Sequence, residues 1–161
     1  MFSTQPMRQG TMKDYLALWR DGLPKLHSSS LEYRVSATGV CDRHLGGHWA
    51  FATITLTVEP ASSFEVVDEL PEDEEFRKEG FLDWSIFGLI DVLMLAGPGP
   101  IQNVRVNLDA AEYSRVDSSR MAFRWAGRDA GRKILSAIDE IRGTRMREDP
   151  RFNKQIVKLS K

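Results

Sequence analysis

Between residues 48 and 60 the chain alternates strictly. Ala50, Ala52, Ile54, Leu56 and Val58 take every second position, with Trp49, Phe51, Thr53, Thr55 and Thr57 between them. A period of two puts the sets on opposite faces of a strand, one of them against a core. Residues 31–38 alternate in the same way, with Leu31, Tyr33 and Val35 on one face. The segment 63–70 predicts a third, shorter strand that points Phe64 and Val66 one way. The stretch 39–47 between the first two strands begins and ends in glycine and reads as a turn region. From 100 to 108, Val104, Val106 and Leu108 alternate with Arg105 and Asn107, which predicts a fourth strand, and the polar run 109–117 reads as a projecting loop.

Two longer segments carry the helical period instead. Residues 71–95 start acidic, where negative charge suits the N-terminal dipole. They continue through Phe81, Trp84, Phe87, Leu89, Ile90 and Leu93, apolar over a wide arc, to the stop Gly97-Pro98-Gly99-Pro100. Asp117-Ser118-Ser119 is an N-cap signal, because side-chain oxygens there can accept from the first free N–H groups of a helix. Beyond it Ala122, Ala126, Ala130, Ile134, Ile138 and Ile141 form one apolar stripe. A short helix over 12–21, capped by Thr11 and stopped by Gly22 and Pro24, presents Tyr15, Leu16, Leu18 and Trp19. The resulting order, β-β-β-α-β-α, predicts an α+β two-layer sandwich over 31–141. It follows an N-terminal extension with a short helix, 1–30, and precedes a basic C-terminal tail, 142–161.

The segment Val-Asp-Ser-Ser-x-Met-Ala-Phe, 116–123, follows a strand and a tyrosine-containing loop. It resembles domain IV of translation elongation factor G and its eukaryotic counterpart. Tyr113 falls on the family's tyrosine, and Asp117, Ser118, Ser119, Met121, Ala122 and Phe123 fall on identical residues. Gly46-Gly47, followed by an alternating strand that ends in Glu59-Pro60, matches the family's Gly-Gly-Arg-Gly-Gln-Tyr segment and its Glu-Pro ending, with Phe51 at the tyrosine. The likeness covers 31–141. It implies the fold of domain 2 of a small-subunit ribosomal protein, a mixed sheet with two helices on one face.

The resemblance also implies a tip made of two loops, here 43–50 and 111–116. In the translation factors that tip enters the decoding centre of the small ribosomal subunit. The family's Arg-Gly-Gln after the glycine pair is His48-Trp49-Ala50 here, and its histidine and aspartate after the tyrosine are Ser114 and Arg115. The core motif is kept and the tip is rewritten. The expectation is a non-catalytic protein that binds the ribosome or structured RNA through Arg43, His44, His48, Trp49, Ser114 and Arg115. Aromatic and guanidinium planes beside positive charge are the means of holding unpaired bases. The alternative is a protein-interaction or self-association module of the same fold, with the N-terminal helix and the tail as contact surfaces.

Composition sharpens this only in places. The 161 residues suit one domain with one core. A net charge of −1 offers no whole-chain attraction for nucleic acid, but the charge is uneven. Residues 65–79 hold eight acids, whereas 142–161 hold seven basic residues against Glu148 and Asp149. The single Cys41 cannot form an internal disulfide, the first residues lack an apolar signal core, and no apolar run approaches the roughly 18 residues of a membrane span. A cytoplasmic protein without a membrane partner is expected. A phosphate loop ending in Gly-Lys-Ser/Thr is missing; Gly131-Arg132-Lys133 lacks the upstream glycine and falls inside a helix, so no nucleotide or other cofactor is expected. Cys41, His44 and His48 have a metal-like C-x2-H-x3-H spacing, yet neighbours on one loop rarely converge, and the expectation is no metal. Ser118 and Ser119 are engaged in capping with no histidine placed to activate them, so no catalytic residues are expected.

Overall fold

The computed structural model describes residues 31–97 and 99–148. The expected helix over 12–21, and the tail beyond residue 148, lie outside the described residues. The elements run β1 (Val35–Leu45), β2 (His48–Pro60), β3 (Glu65–Asp68), α1 (Glu74–Lys78), α2 (Phe81–Leu93), β4 (Val104–Glu112) and α3 (Arg120–Glu148). The strands form one mixed sheet in the order β1-β2-β4-β3, antiparallel except for the parallel pair β3 and β4. The α+β class is therefore observed, with three helices rather than two in the domain.

The core lies between sheet and helices. Ala50, Ala52, Ile54, Leu56 and Val58 of β2 are buried, as are Val104, Val106 and Leu108 of β4. They meet Ile86, Leu89 and Leu93 of α2 and Ala122, Phe123, Ala126, Ala130, Ile134 and Ile138 of α3. Helix α3 lies on β1 and β2 and crosses α2 at close range: a Cβ on Gly88 would stand 2.1 Å from the Arg124 carbonyl oxygen. An aromatic cluster ties the short helix to the long ones. Phe81 stacks on Phe123 at 4.6 Å, and Phe76 meets both rings and Tyr113 at 5.3 to 5.7 Å. Each such pair adds roughly 0.5–1.5 kcal/mol to its area burial.

Five local expectations change. Strand β1 runs straight through the expected turn region 39–47. Gly39 is buried beneath α3, where a Cβ would stand 1.9 Å from the Ala126 carbonyl oxygen, so this glycine permits contact rather than turning the chain. The turn is confined to Gly46 and Gly47, both at positive φ (56° and 90°), between the paired Leu45 and His48. Two glycines at positive φ match the twist of a two-residue hairpin. Strand β4 starts later than residue 100 and extends to Glu112, through a bulge where Thr55 faces Ala110 and Leu56 faces Leu108. The expected single helix 71–95 is divided at Gly80, whose φ of 73° breaks the helical path. Asp73 caps the first piece, its Oδ1 accepting from Phe76 N at 3.0 Å. Helix α3 does not stop at Ile141 but reaches Glu148, so the first residues of the expected tail belong to it.

Candidate functional site

The bulge in β4 decides what the loop after it does. Val104, Val106 and Leu108 face the helices on even positions, and the extra residue transfers that face to odd ones, so Ala111 and Tyr113 turn inward. Tyr113 packs on Phe76 and Phe81, and its hydroxyl donates to Asp73 Oδ2 at 2.9 Å. Asp73, accepting from Phe76 N and from this hydroxyl, is held below the ordinary carboxylate range; the same hydrogen bond to Asp73 raises the Tyr113 phenol.

The three motif residues that follow divide the work. Asp117 O accepts from Phe51 N at 3.1 Å, and Ser118 Oγ donates to Phe51 O at 2.6 Å while accepting from Ser114 N at 2.9 Å. Ser119 alone is the N-cap of α3, its Oγ accepting from Ala122 N at 3.1 Å. The N-cap expected from the whole triplet thus narrows to one residue, because the other two fasten the loop to β2. The 113–119 loop therefore lies at the same end of the sheet as the β1–β2 turn. The hairpin runs several residues past the Phe51 anchor to reach that turn.

The six expected site residues do not form one cluster. Pairing places His44 opposite Trp49 on the sheet face away from the helices, their rings 4.6 Å apart and tilted by 50°. Trp49 is 48% exposed, and its Nε1 donates to Asp42 Oδ1 at 2.6 Å. Arg43 and His48, one position out of phase, share the helix side of the ribbon. There the Arg43 guanidinium lies 5.3 Å from the centre of the Trp125 ring of α3. Ser114 is closed on its own turn: its Oγ donates to Asp117 Oδ2 at 3.0 Å and accepts from Asp117 N at 3.2 Å. Arg115 pairs with Glu75 at 3.0 Å through a side chain that is 80% exposed. The expected loop 111–116 is corrected at its start, since Ala111 and Glu112 belong to β4.

The same alternation separates the metal-like spacing. Cys41 is buried toward the helices and its thiol is pushed up by burial, whereas His44 is on the opposite face. Among the described residues no three His, Cys, Asp or Glu side chains gather to hold a metal ion. Sequence reasoning missed Asp42, Glu75 and Trp125, each a partner of an expected site residue. It also missed a cleft of about 530 Å³ beside the loop, lined by Glu75, Tyr113, Ser114, Arg115, Ser119 and Arg120 among others. Glu75 and Trp125 reach their partners from elements distant in the chain, whereas Asp42 meets Trp49 through the register of the hairpin that holds both.

No family model matches the chain. A crystal structure of a protein from Thermus thermophilus is similar to it, with a TM-score of 0.59 and 19% sequence identity. The match covers 66% of this chain and 16% of that one, so it concerns a small part of a much longer protein. A likeness at this identity is a likeness of fold. No described helix is long and apolar enough to cross a membrane.

Proposed function

We propose that this chain is a non-catalytic, cytoplasmic protein resembling domain IV of elongation factor G, and that it binds the ribosome or structured RNA through the β1–β2 hairpin end and the 113–119 loop. The observation that supports this reading best is the exposed His44–Trp49 pair on a ribbon reaching past the Phe51 anchor, at the sheet end that also carries Arg115. An aromatic surface of this kind stacks unpaired bases, and each stacked base contributes about 1–3 kcal/mol. With Arg43 occupied by Trp125, stacking by Trp49 outweighs charge at the tip. Arg115 adds a guanidinium once it exchanges Glu75 for a phosphate.

Co-sedimentation with small ribosomal subunits, repeated over a salt series, tests the reading. Binding is expected to fall with salt, and Trp49→Ala is expected to weaken it about tenfold or more, in line with loss of one stacked base. Arg115→Glu is expected to weaken it further. Retention unaffected by either substitution would remove the tip from the account. A second reading, a protein-interaction or assembly module without RNA, has support from Val40 and Leu45, large apolar side chains exposed on the same ribbon. Salt-insensitive self-association in place of subunit binding would favour it.

A further inference from the structure

Helix α3 carries a second cationic feature, which runs away from the tip. Arg120, Arg124, Arg128 and Arg132 recur every fourth residue, so they form one i±4 ridge beside α2. Four residues advance the helix by about 6 Å, a step comparable to that between neighbouring phosphates on one strand. The first two arginines of the row are already engaged. Arg120 Nε donates to the Glu79 carbonyl oxygen at 2.7 Å. Arg124 makes a two-point pair with Asp91 and lies 5.9 Å from the centre of the Trp84 ring.

Further along the row the arginines make no ion pair among the described residues, although Asp129 acts on Arg132 at longer range. Arg128 Nε is buried with no acceptor, and Arg132 is exposed with no ion pair among the described residues. A buried donor without an acceptor is unfavourable, so swinging the Arg128 side chain outward to an oxyanion gives up no hydrogen bond at that nitrogen and creates new ones. Arg124 is the one member of the row with an ion pair among the described residues. Asp129, itself paired with Lys133, acts on Arg132 only at longer range, so the row keeps a local excess of positive charge that a net charge near zero conceals.

We propose that the Arg120–Arg124–Arg128–Arg132 row is a track for the phosphate backbone of RNA, read without regard to base sequence. The proposal rests on the RNA-binding reading above but not on the tip: the tip stacks bases, and the row follows a strand along the helix layer. Planar guanidinium groups suit phosphate better than point charges do, and spacing along a ridge suits a linear polyanion better than a compact anion.

The test is fluorescence anisotropy of the full chain with a labelled RNA stem–loop, titrated at several salt concentrations. Replacing the last two cations of the row, Arg128→Gln with Arg132→Gln, is expected to weaken binding about tenfold at low salt. It should also reduce the slope of log affinity against log salt by about 1.5, the loss of two phosphate contacts. Arg132→Gln alone, at an exposed position, should remove about half of that slope change even if the double variant folds poorly. An unchanged slope in Arg132→Gln would overturn the proposal. So would displacement of the RNA by polyglutamate as effectively as by unlabelled RNA, which would assign the row to an acidic protein surface. Trp49→Ala separates the two readings: loss of affinity with an unaltered slope belongs to the tip, and loss of slope in the arginine variants belongs to the row. If the unsubstituted chain binds no RNA, both readings fail; if only the arginine variants alter binding, the row stands and the tip falls.

Discussion

Gly39 shows how one residue without a side chain positions an entire helix. Its missing Cβ admits the Ala126 carbonyl oxygen, and the Ala130 Cβ would be only 2.8 Å from an added methyl. That contact brings the long helix onto the edge strand, where Asp129 Oδ2 accepts from Val40 N and Lys133 Nζ donates to Thr38 O. Those two bonds occupy part of the free edge that a further strand would otherwise seek. Gly39→Ala is therefore expected to destabilise the fold by about 2–3 kcal/mol, as overpacking of an ordered core does. A urea midpoint equal to that of the unsubstituted protein would show that α3 can retreat freely. Residue-scale packing also divides the candidate site, since one step along β1 takes Arg43 toward Trp125 and His44 toward Trp49.

Among the elements, α1 and the 113–119 loop behave as one unit. Asp73 caps α1 through Phe76 N and receives the Tyr113 hydroxyl from the loop. Because the folded carboxylate sits below its ordinary value, the stabilisation it gives is complete above about pH 3.9 and is lost as pH falls through the lower folded value. The Tyr113 phenol works in the opposite direction. Its folded value is raised, so its share is complete below the ordinary tyrosine range and is lost as pH rises through the raised value. Stability measured by urea unfolding should thus decline at both extremes. Asp73→Asn should flatten the acid limb, since an amide keeps an oxygen for the cap but has no proton to gain. Parallel acid limbs in the two proteins would mean that Asp73 is not the group responsible. The same unit carries Arg115 on Glu75, so loosening α1 also moves a residue of the proposed tip.

At the scale of the molecule, every described element contributes to a single core, from Leu31 before β1 to Ile138 in α3. Two-state unfolding is the expectation for one core in a chain of this size. Tryptophan fluorescence reports on Trp49 at the hairpin, Trp84 on α2 and Trp125 on α3, together with Trp19 outside the described residues, while far-UV circular dichroism reports on the helices. Their urea midpoints should coincide. Separate midpoints would show that the molecule does not unfold as one unit.

The alternating residues of β2 and the alanine-isoleucine stripe of α3 could be read directly from the chain. Burial repeats with the local period of a strand or helix, and the class of fold follows from the order of such segments. That Trp49 and Ala50 take opposite faces was legible for the same reason, but which face meets the core was decided by the packing. What no local pattern could disclose was the purpose of Gly39, the bulge that turns Tyr113 inward, the division at Gly80, and the partners Asp42, Glu75 and Trp125. Each depends on how separate elements pack or pair, and only the packed structure decides which side chain occupies the space beside them. The arginine row was present in the sequence all along, at every fourth position of a helix. That it lies along a helix boundary with a single paired carboxylate was settled by tertiary packing, because charge becomes a surface only when neighbouring elements determine which groups answer it.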